Sequence, residues 1–439
     1  MIEQLDLAAL EAELKAVAET RKLDGAEAES WSIGGVAPAL ICTPSDPESL
    51  GEALAACDRA GAAVVPWGGG TQQGLGSPLE RADVALVTTR LDRLIEHEPG
   101  DMTVTAQAGM TLSELQSTLR AHRQWLPLDL PLLPGATLGG ALATDVSGPR
   151  RLKEGGLRDL VIGTRAANVD GRVSRAGGKV VKNVTGYDLN KLHVGSLGTL
   201  GILTEVSFKV APLPPADRTW YCAFDDPQSA GLALSKLLWL PVSFAALDLV
   251  NASAAEGIGL SLEGAPWALL ARATGFGPAV ERQLSEFRTV TRAREGADTV
   301  AVDEQQAKSI WSDYLEEAAE RRWADGWLTC RMALPSAKQG AVAAAVAGVG
   351  EKPRIWGHGT GALFWSAAVE AAGRAEAVTR LREAAHKAGG RLIVENRGKD
   401  GADLDVWGPE EPSYEYMRAI KRQYDPRGTL NPGRFVDGI

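Results

Sequence analysis

Cysteine and histidine are scarce in this sequence, which limits the metal chemistry that the chain can perform by itself. The 439 residues include four cysteines and five histidines. Cys42, Cys57, Cys222 and Cys330 lie far apart, and no C-x-x-C pair occurs. The sequence therefore predicts neither a zinc site nor an iron–sulfur cluster held by this chain alone. Scattered thiols, and an amino-terminal segment without signal-peptide character, predict a cytoplasmic protein with reduced cysteines.

Long apolar runs and an excess of positive charge are also missing. No stretch approaches the roughly 20 apolar residues that cross a bilayer, so a membrane-spanning helix is not predicted. The formal net charge of −10 argues against nucleic acid as a partner. The glycine-rich region matches neither G-x-x-x-x-G-K-[ST] nor G-x-G-x-x-G, which disfavours a nucleotide kinase or a Rossmann dehydrogenase.

Glycine, by contrast, is abundant, and its excess falls between residues 68 and 201 of a chain with 49 glycines. Residues 64–76 read V-V-P-W-G-G-G-T-Q-Q-G-L-G. The two valines predict the end of a buried strand, and the glycines predict a tight loop. Because glycine tolerates positive φ, successive N–H groups can point into one concavity and bind a phosphate or pyrophosphate. An ordinary glycine-rich turn is the alternative that this segment alone leaves open.

The elements around this loop predict an α/β arrangement. A helix is expected to begin at Asp46 and Pro47, an N-cap residue followed by proline at the first helical position, and to end at Gly61. Further helices are predicted over residues 303–322 and 376–388. The predicted divisions are an N-terminal helical segment (1–35), a first domain (36–215), a second α+β domain (216–405) and a tail (406–439).

Several of these segments together resemble a known family. Residues 66–71, 134–144, 158–163 and 198–205 resemble, in this order, the FAD-binding domain of the vanillyl-alcohol-oxidase and p-cresol-methylhydroxylase superfamily. Residues 147–151, 182–188 and 425–434 are similar to the E-type, FAD-binding subunits of bacterial glycolate oxidase (glycolate dehydrogenase) complexes. The resemblance implies an α+β fold: a two-subdomain FAD-binding domain of the p-cresol-methylhydroxylase type, followed by an α+β cap domain. It also implies that the tail returns to the flavin domain.

The resemblance further implies which residues hold FAD. Backbone N–H groups of the glycine-rich loop would bind the pyrophosphate, and small residues would line the flat flavin. The implied cofactor-binding residues are Pro66, Trp67, Gly68, Gly69, Gly70, Thr71, Gln72, Pro134, Gly135, Thr137, Gly139, Gly140, Thr144, Ser147, Gly148, Gly201, Ile202 and Asn431. Covalent members of the superfamily often carry a histidine where Thr71 stands here, so non-covalent FAD is predicted.

The cap is where the sequence departs from the hydroxy-acid enzymes of this superfamily. Those enzymes often carry H-x-G-D-G-N-x-H and a later E-H-G, whose histidines bind a divalent metal. Here the corresponding segments read H-G-T-G-A-L-F and V-E-N-R-G, and only His358 and Glu395 match. No metal site is therefore predicted. The catalytic residues stay unassigned; the candidates are Arg150, Arg151 and His358, of which either arginine could bind a substrate carboxylate.

Three functions follow from the resemblance. The first is an FAD-binding subunit of a glycolate-oxidising complex, beside a catalytic FAD subunit and an iron–sulfur subunit. Because arginine is a poor base, this chain alone is then expected to oxidise glycolate poorly. The second is a self-sufficient FAD oxidoreductase for another 2-hydroxy acid or alcohol, and the third is a non-redox structural subunit. The predicted location is cytoplasmic, or peripheral to the inner membrane through the partners.

Overall fold

The computed structural model describes residues 5–178, 187–292, 298–321, 324, 326–398 and 404–439. Residues 182–186 of the family-like segment 182–188 lie outside the described residues. Within the described part, the helices are too short or too polar to cross a bilayer.

The first domain begins with a subdomain built on a small sheet. β2 and β3 both run parallel to β4, and β1 pairs antiparallel with β2 at the edge. The helix α3 begins at the predicted cap, where Asp46 Oδ1 accepts a hydrogen bond from Ser49 N at 2.8 Å. Gly61 ends it with a φ of +68°. The elements are α1 (Leu7–Val17), β1 (Glu19–Lys22), α2 (Gly25–Ser30), β2 (Leu40–Thr43), α3 (Pro47–Ala60), β3 (Val64–Trp67) and β4 (Val84–Val87).

The prediction of a helical segment over residues 1–35 is wrong in part, because β1 interrupts it. The edge of β2 has backbone groups that need partners, and residues 19–22 supply them. Thr20 is the one buried residue of β1, which is typical of an edge strand.

The second subdomain of the first domain is an antiparallel sheet in the order β5-β6-β10-β8-β9, with a small β11-β7 pair beside it. Its apolar core packs under α4 and α5. The elements are β5 (Leu94–Glu98), β6 (Thr103–Gln107), α4 (Leu112–Arg120), β7 (Gln124–Trp125), α5 (Leu138–Thr144), α6 (Arg151–Glu154), α7 (Leu157–Leu160), β8 (Val161–Ala167), β9 (Val173–Gly177), α8 (Asn190–His193), β10 (Ile202–Lys209) and β11 (Ala211–Pro212).

The second domain is an antiparallel sheet in the order β15-β12-β14-β13-β17-β18-β16-β19. Four helices, α9, α11, α13 and α14, cover one face, and α10 with α12 covers part of the other. The elements are β12 (Ala216–Phe224), α9 (Pro227–Leu238), β13 (Ala246–Asn251), α10 (Ala252–Gly257), β14 (Trp267–Gly275), α11 (Gly277–Thr291), β15 (Thr299–Val302), α12 (Glu304–Arg321), β16 (Trp327–Ala333), α13 (Gln339–Val346), β17 (Glu351–His358), β18 (Ala362–Ala368), α14 (Ala371–Lys387) and β19 (Arg391–Asn396).

The tail carries α15 (Tyr414–Tyr424) and then packs against the first domain. Leu430 forms a parallel bridge with Val64, so the tail extends the sheet beside β3. The Val64 N–H donates to Thr429 O at 2.7 Å, and the Asn431 N–H donates to Val64 O at 2.9 Å. These bonds bring the tail to the loop that follows β3.

Candidate functional site

A cleft of about 720 Å³ lies in the first domain, where the loop after β3 faces the start of α5. We call residues 68–76 the glycine loop. The remaining walls come from the start of β10, the turn before it and the tail. The cleft is lined by residues 66–73, Thr88, Thr137, Gly139, Gly140, Ala143, Thr144, residues 196–198, residues 201–203, Asn431 and Arg434.

The glycines of the loop are required by close packing as well as by backbone shape. A Cβ on Gly69 would lie 1.9 Å from Gly135 O, and a Cβ on Gly68 would lie 2.3 Å from Thr137 Oγ1. Gly70 has a φ of +71°, where side chains are rarely found. The loop is therefore pressed against the segment that leads into α5, and this contact fixes two walls of the cleft relative to each other.

Two arginines from distant parts of the chain hold the glycine loop. Arg434, in the tail, donates from Nε to Leu75 O at 3.0 Å and from Nη2 to Gln73 O at 2.5 Å. Arg397, after β19, donates to Gly76 O at 2.8 Å. Burial, with a smaller contribution from the nearby Arg397, lowers the pKa of Arg434 to about 10. The loop is thus tied to both the tail and the second domain.

A second, larger space of about 1210 Å³ separates the two domains, and we call it the interdomain cavity. Thr144 and Leu197 line both the cleft and this cavity, so the two spaces adjoin. The first domain contributes mainly the end of α5 and the residues after it. The second domain contributes the part of its sheet that α10 and α12 leave uncovered, from β16, β18 and β19.

Four charged side chains line the interdomain cavity. They are Asp145, Arg151, Arg331 and Glu395. Arg151 Nη1 donates to Ser147 Oγ at 3.2 Å and lies 3.7 Å from Asp145 Oδ2. Arg331 Nε donates to Glu395 Oε1 at 2.9 Å. Two guanidinium groups thus come from different domains to one cavity, an arrangement suited to a carboxylate.

Arg150, a sequence candidate for substrate contact, lies elsewhere. Its side chain is buried, donates to Asp217 Oδ2 at 2.8 Å and stacks on the ring of Trp125. Asp129 accepts from the Arg150 N–H at 3.0 Å, and burial raises the pKa of this carboxyl to about 7 although Arg150 opposes the change. Because Asp217 lies on β12, Arg150 joins the two domains rather than facing the cleft or the cavity.

His358 lies inside the second domain and lines neither space. Its Nδ1 is 3.0 Å from Asp248 Oδ1, and its Nε2 is 2.9 Å from the hydroxyl of Tyr314. Both ring nitrogens therefore have partners, and the side chain is 2% exposed. Across the described ranges, no group of three histidine, cysteine or acidic side chains is placed to hold a metal ion. This geometry fits a structural histidine within a buried polar network.

Comparison with known proteins identifies the family. The family model described as an FAD binding domain matches residues 38–177, and that of the FAD linked oxidases, C-terminal domain, matches residues 370–435. Glycolate oxidase subunit GlcE of Escherichia coli (strain K12) is 31% identical over 346 residues, which cover 78% of this chain and 84% of that protein. The chain belongs to the FAD-linked oxidase family that includes GlcE. It is an FAD-dependent oxidoreductase, and its cofactor is FAD.

Other similar proteins agree with this assignment. Glycolate oxidase subunit GlcD of Bacillus subtilis (strain 168) is 25% identical over 418 residues, or 91% of this chain and 89% of that protein. Among solved structures, p-cresol methylhydroxylase superposes with a TM-score of 0.76 at 17% identity, covering 98% of this chain and 97% of that one. This structural likeness confirms the predicted fold, an α+β flavoprotein of the p-cresol-methylhydroxylase type.

The cleft has the chemistry that this family's cofactor needs. The side-chain amide of Gln72 is buried, and neither its nitrogen nor its oxygen has a hydrogen-bond partner within the described residues. Asn431 Oδ1 is likewise buried without a hydrogen-bond partner there. Both residues line the cleft. Unpartnered buried amides indicate a polar ligand, since such groups otherwise cost free energy. Glycine-lined walls also allow close approach of a phosphate or a flat ring. The residues present therefore fit FAD.

The residues implied by the resemblance fall into three groups. Ser147 lines the interdomain cavity, and Pro134, Gly135 and Gly148 line neither space. A Cβ on Gly148 would lie 2.0 Å from Asp129 O, so close packing explains why glycine occupies this position. The other fourteen line the cleft: Pro66, Trp67, Gly68, Gly69, Gly70, Thr71, Gln72, Thr137, Gly139, Gly140, Thr144, Gly201, Ile202 and Asn431.

The sequence reasoning missed several residues that the structure brings to these spaces. Arg434 was present in the family-like tail segment but was not assigned to the cofactor site. Arg331, Asp145 and Glu395 were not weighed as substrate contacts. Arg331 could have been found as the one charged residue in the strand W-L-T-C-R-M-A. The sequence around Asp145 gives no comparable signal, because its position in the cavity depends on which residues of the second domain lie opposite it.

Proposed function

We propose that this chain is the FAD-binding subunit of a glycolate-oxidase-type complex and that its interdomain cavity binds a small 2-hydroxy acid. The observation that carries the proposal is the pair of adjoining spaces. One space is the glycine-lined cleft, where amide atoms of Gln72 and Asn431 are buried without a hydrogen-bond partner among the described residues. The other is the interdomain cavity, which adjoins the cleft at Thr144 and is lined by both Arg151 and Arg331.

FAD would be held by the glycine loop, the start of α5, Gly201, Ile202 and Asn431. When bound, FAD accepts a hydride from the carbon that carries the substrate hydroxyl. Thr71 stands where covalent members of the superfamily often carry a histidine that bonds to the flavin, so here the flavin would be held without a covalent bond. Precipitation with acid should then leave a colourless pellet and a yellow supernatant, and flavin retained in the pellet would contradict this part of the proposal.

The substrate carboxylate would bind Arg151 and Arg331, because a guanidinium can offer two parallel hydrogen bonds to a carboxylate. Phe364 of the second domain and Trp407 of the tail, which also line the cavity, would close it from water. This arrangement selects for a small acid that carries its hydroxyl next to the carboxylate.

Anaerobic mixing tests the substrate. The FAD-loaded chain is mixed with glycolate, D-lactate, L-lactate and D-2-hydroxyglutarate, and loss of the oxidised flavin band is recorded. At least one of them should bleach the flavin, whereas acetate and propionate, which lack the hydroxyl, should not. If none of the hydroxy acids reduces the flavin, either alone or with co-purified partners, the proposed function is wrong.

The partner subunits form a separate part of the proposal, supported by the word "subunit" in the names of GlcE and GlcD. A pull-down of the native protein, with mass spectrometry and with flavin and iron counts, tests it. We expect a second flavoprotein and an iron–sulfur protein to co-purify. A chain that purifies alone and still bleaches with a hydroxy acid would favour the self-sufficient oxidoreductase, which the charged cavity also allows.

A further inference from the structure

Oxidation of a hydroxy acid requires a group that takes the hydroxyl proton, and the sequence offered none. The interdomain cavity contains two carboxylates, Asp145 and Glu395. Glu395 already accepts a hydrogen bond from Arg331 at 2.9 Å. Asp145 Oδ1, in contrast, is buried and has no hydrogen-bond partner among the described residues. Asp145 therefore carries a buried oxygen whose hydrogen-bonding capacity is unused within the described residues.

Asp145 lines the interdomain cavity and follows Thr144, a residue at which the two spaces adjoin. Asp145 is the C-cap of α5, with a φ of +47°, and its N–H donates to Ala141 O at 3.1 Å. The preceding residue, Thr144, lines both the cofactor cleft and the interdomain cavity. A substrate in the cavity whose carboxylate lies on Arg151 and Arg331 would thus share that cavity with Asp145, next to the cleft.

We propose that Asp145 is the proton acceptor for the substrate hydroxyl, an assignment that rests on the function proposed above. The O–H bond of the substrate would break and its proton would pass to the Asp145 carboxylate. The hydrogen on the carbon that carries this hydroxyl would leave with two electrons, as a hydride, for which bound FAD supplies the acceptor. The hydroxy acid would become a 2-keto acid, and Asp145 would have gained one proton.

The charges around Asp145 suit this role. Burial raises the pKa of Asp145, and Arg151, Arg331 and Arg158 oppose the rise. Arg151 and Arg158 come from the first domain, and Arg331 comes from the second, as does Glu395 in the same cavity. A base works best when its pKa lies near the operating pH, and burial moves a carboxylate in that direction.

The experiment compares Asp145→Asn with the parent and with Asp437→Asn as a matched control. Asparagine tolerates the left-handed backbone of Asp145, so the variant should fold. Asp437 also has positive φ, at +56°, and lines neither space. With the best substrate, Asp145→Asn should slow anaerobic flavin reduction about 100-fold or more, since general bases contribute at least that much. Asp437→Asn should reduce at the parent rate.

Two further measurements separate proton transfer from binding. Binding of the 2-keto acid product, followed by the shift of the flavin spectrum, should change less than about threefold in Asp145→Asn, because a neutral isostere keeps the shape of the site. In the parent, the rate of flavin reduction should rise with pH and then level off as Asp145 loses its proton. In Asp145→Asn this rise should be absent.

Each outcome is decisive. If no hydroxy acid reduces the parent flavin, the proposed function fails, and the role of Asp145 fails with it. If the parent is reduced and Asp145→Asn keeps pace within threefold, the base assignment alone is wrong. If Asp145→Asn is slow but has also lost product binding, Asp145 contributes to binding and is not the proton acceptor.

Discussion

The glycine-lined cleft and the interdomain cavity adjoin, yet they are built in different ways. The cleft is lined largely by glycines, short polar side chains and apolar residues, and most of these fall in a few runs of the first domain. The cavity is defined by charged side chains from segments far apart in sequence, such as Arg151 on α6 and Arg331 on β16. A site made of backbone leaves a pattern in the sequence, whereas a site made of converging side chains does not. The difference explains why most of the cleft could be predicted from the sequence, whereas of the charged cavity residues only Arg151 was a candidate.

The most severe test of the cleft is Gly69→Val against Gly140→Val. The Gly69 side chain would collide with Gly135 O, and backbone cannot move aside at low cost, so we expect failure to fold or a loss of more than about 4 kcal/mol of stability.

Gly140→Val should behave differently from Gly69→Val. Its Cβ would meet only Thr137 Oγ1 at 3.2 Å, and Gly140 lines the cleft. The melting temperature without flavin should therefore stay near that of the parent, while FAD affinity falls roughly tenfold or more. Calorimetry and flavin titration measure the two effects. A Gly140→Val chain that binds FAD as tightly as the parent would show that the cleft is not the cofactor site.

Removing the arginine that joins the tail to the loop should have the next largest effect. Arg434→Met leaves Leu75 O and Gln73 O buried without a donor, which should lower the free energy of unfolding by about 3 kcal/mol. FAD affinity should fall as well. The control is Arg427→Met, an exposed tail arginine bound to Asp58, which should cost less than about 1 kcal/mol. If Arg434→Met and Arg427→Met lower the free energy of unfolding in urea equally, the hydrogen bonds from Arg434 to the glycine loop do not stabilise the protein as predicted.

Substitution of the cavity arginines tests the other half of the comparison. Arg331→Met and Arg151→Met should each weaken 2-keto acid binding about 10- to 100-fold, because each removes a charge-assisted hydrogen bond to the carboxylate. FAD affinity should not change, since neither residue lines the cleft. Arg218→Met, on the exposed side of β12, is the control. Unchanged keto-acid affinity in both cavity variants would show that the acid binds elsewhere.

The smallest expected effect concerns His193, which packs beside the first domain's sheet. His193 is 5% exposed and its Nδ1 has no partner within the described residues. Burial lowers its pKa from 6.5 to about 4. The folded state therefore disfavours the protonated ring, so this contribution to stability is complete above pH 6.5 and is lost as the pH falls towards 4.

Between neutral pH and about pH 5.5 the loss should be about 1 kcal/mol, and His193→Gln should remove it. Urea unfolding of both proteins across this pH range makes the measurement. The prediction is wrong if the two unfolding curves change in parallel as the pH falls.

Local elements were largely predictable. Residues 303–322 were predicted as one helix, and α12 spans Glu304–Arg321; residues 376–388 were predicted as another, and α14 spans Ala371–Lys387. Capping chemistry placed α3 correctly. The strand β1 was missed because its four residues are mostly exposed and gain their order from pairing with β2. Pairing partners lie outside the segment itself, so local patterns could not reveal them.

The sequence by itself determined the family, because its motifs stand in the family's order along the chain, and the cofactor followed from that resemblance. Only the tertiary structure decided where the side chains of Arg150 and Arg151 lie, although these residues are adjacent in sequence. Arg150 is buried against Asp217 between the domains, and Arg151 faces the interdomain cavity. The side chains of two consecutive residues leave the backbone in different directions. What each of them contacts depends on the second domain, which is folded from residues far along the chain.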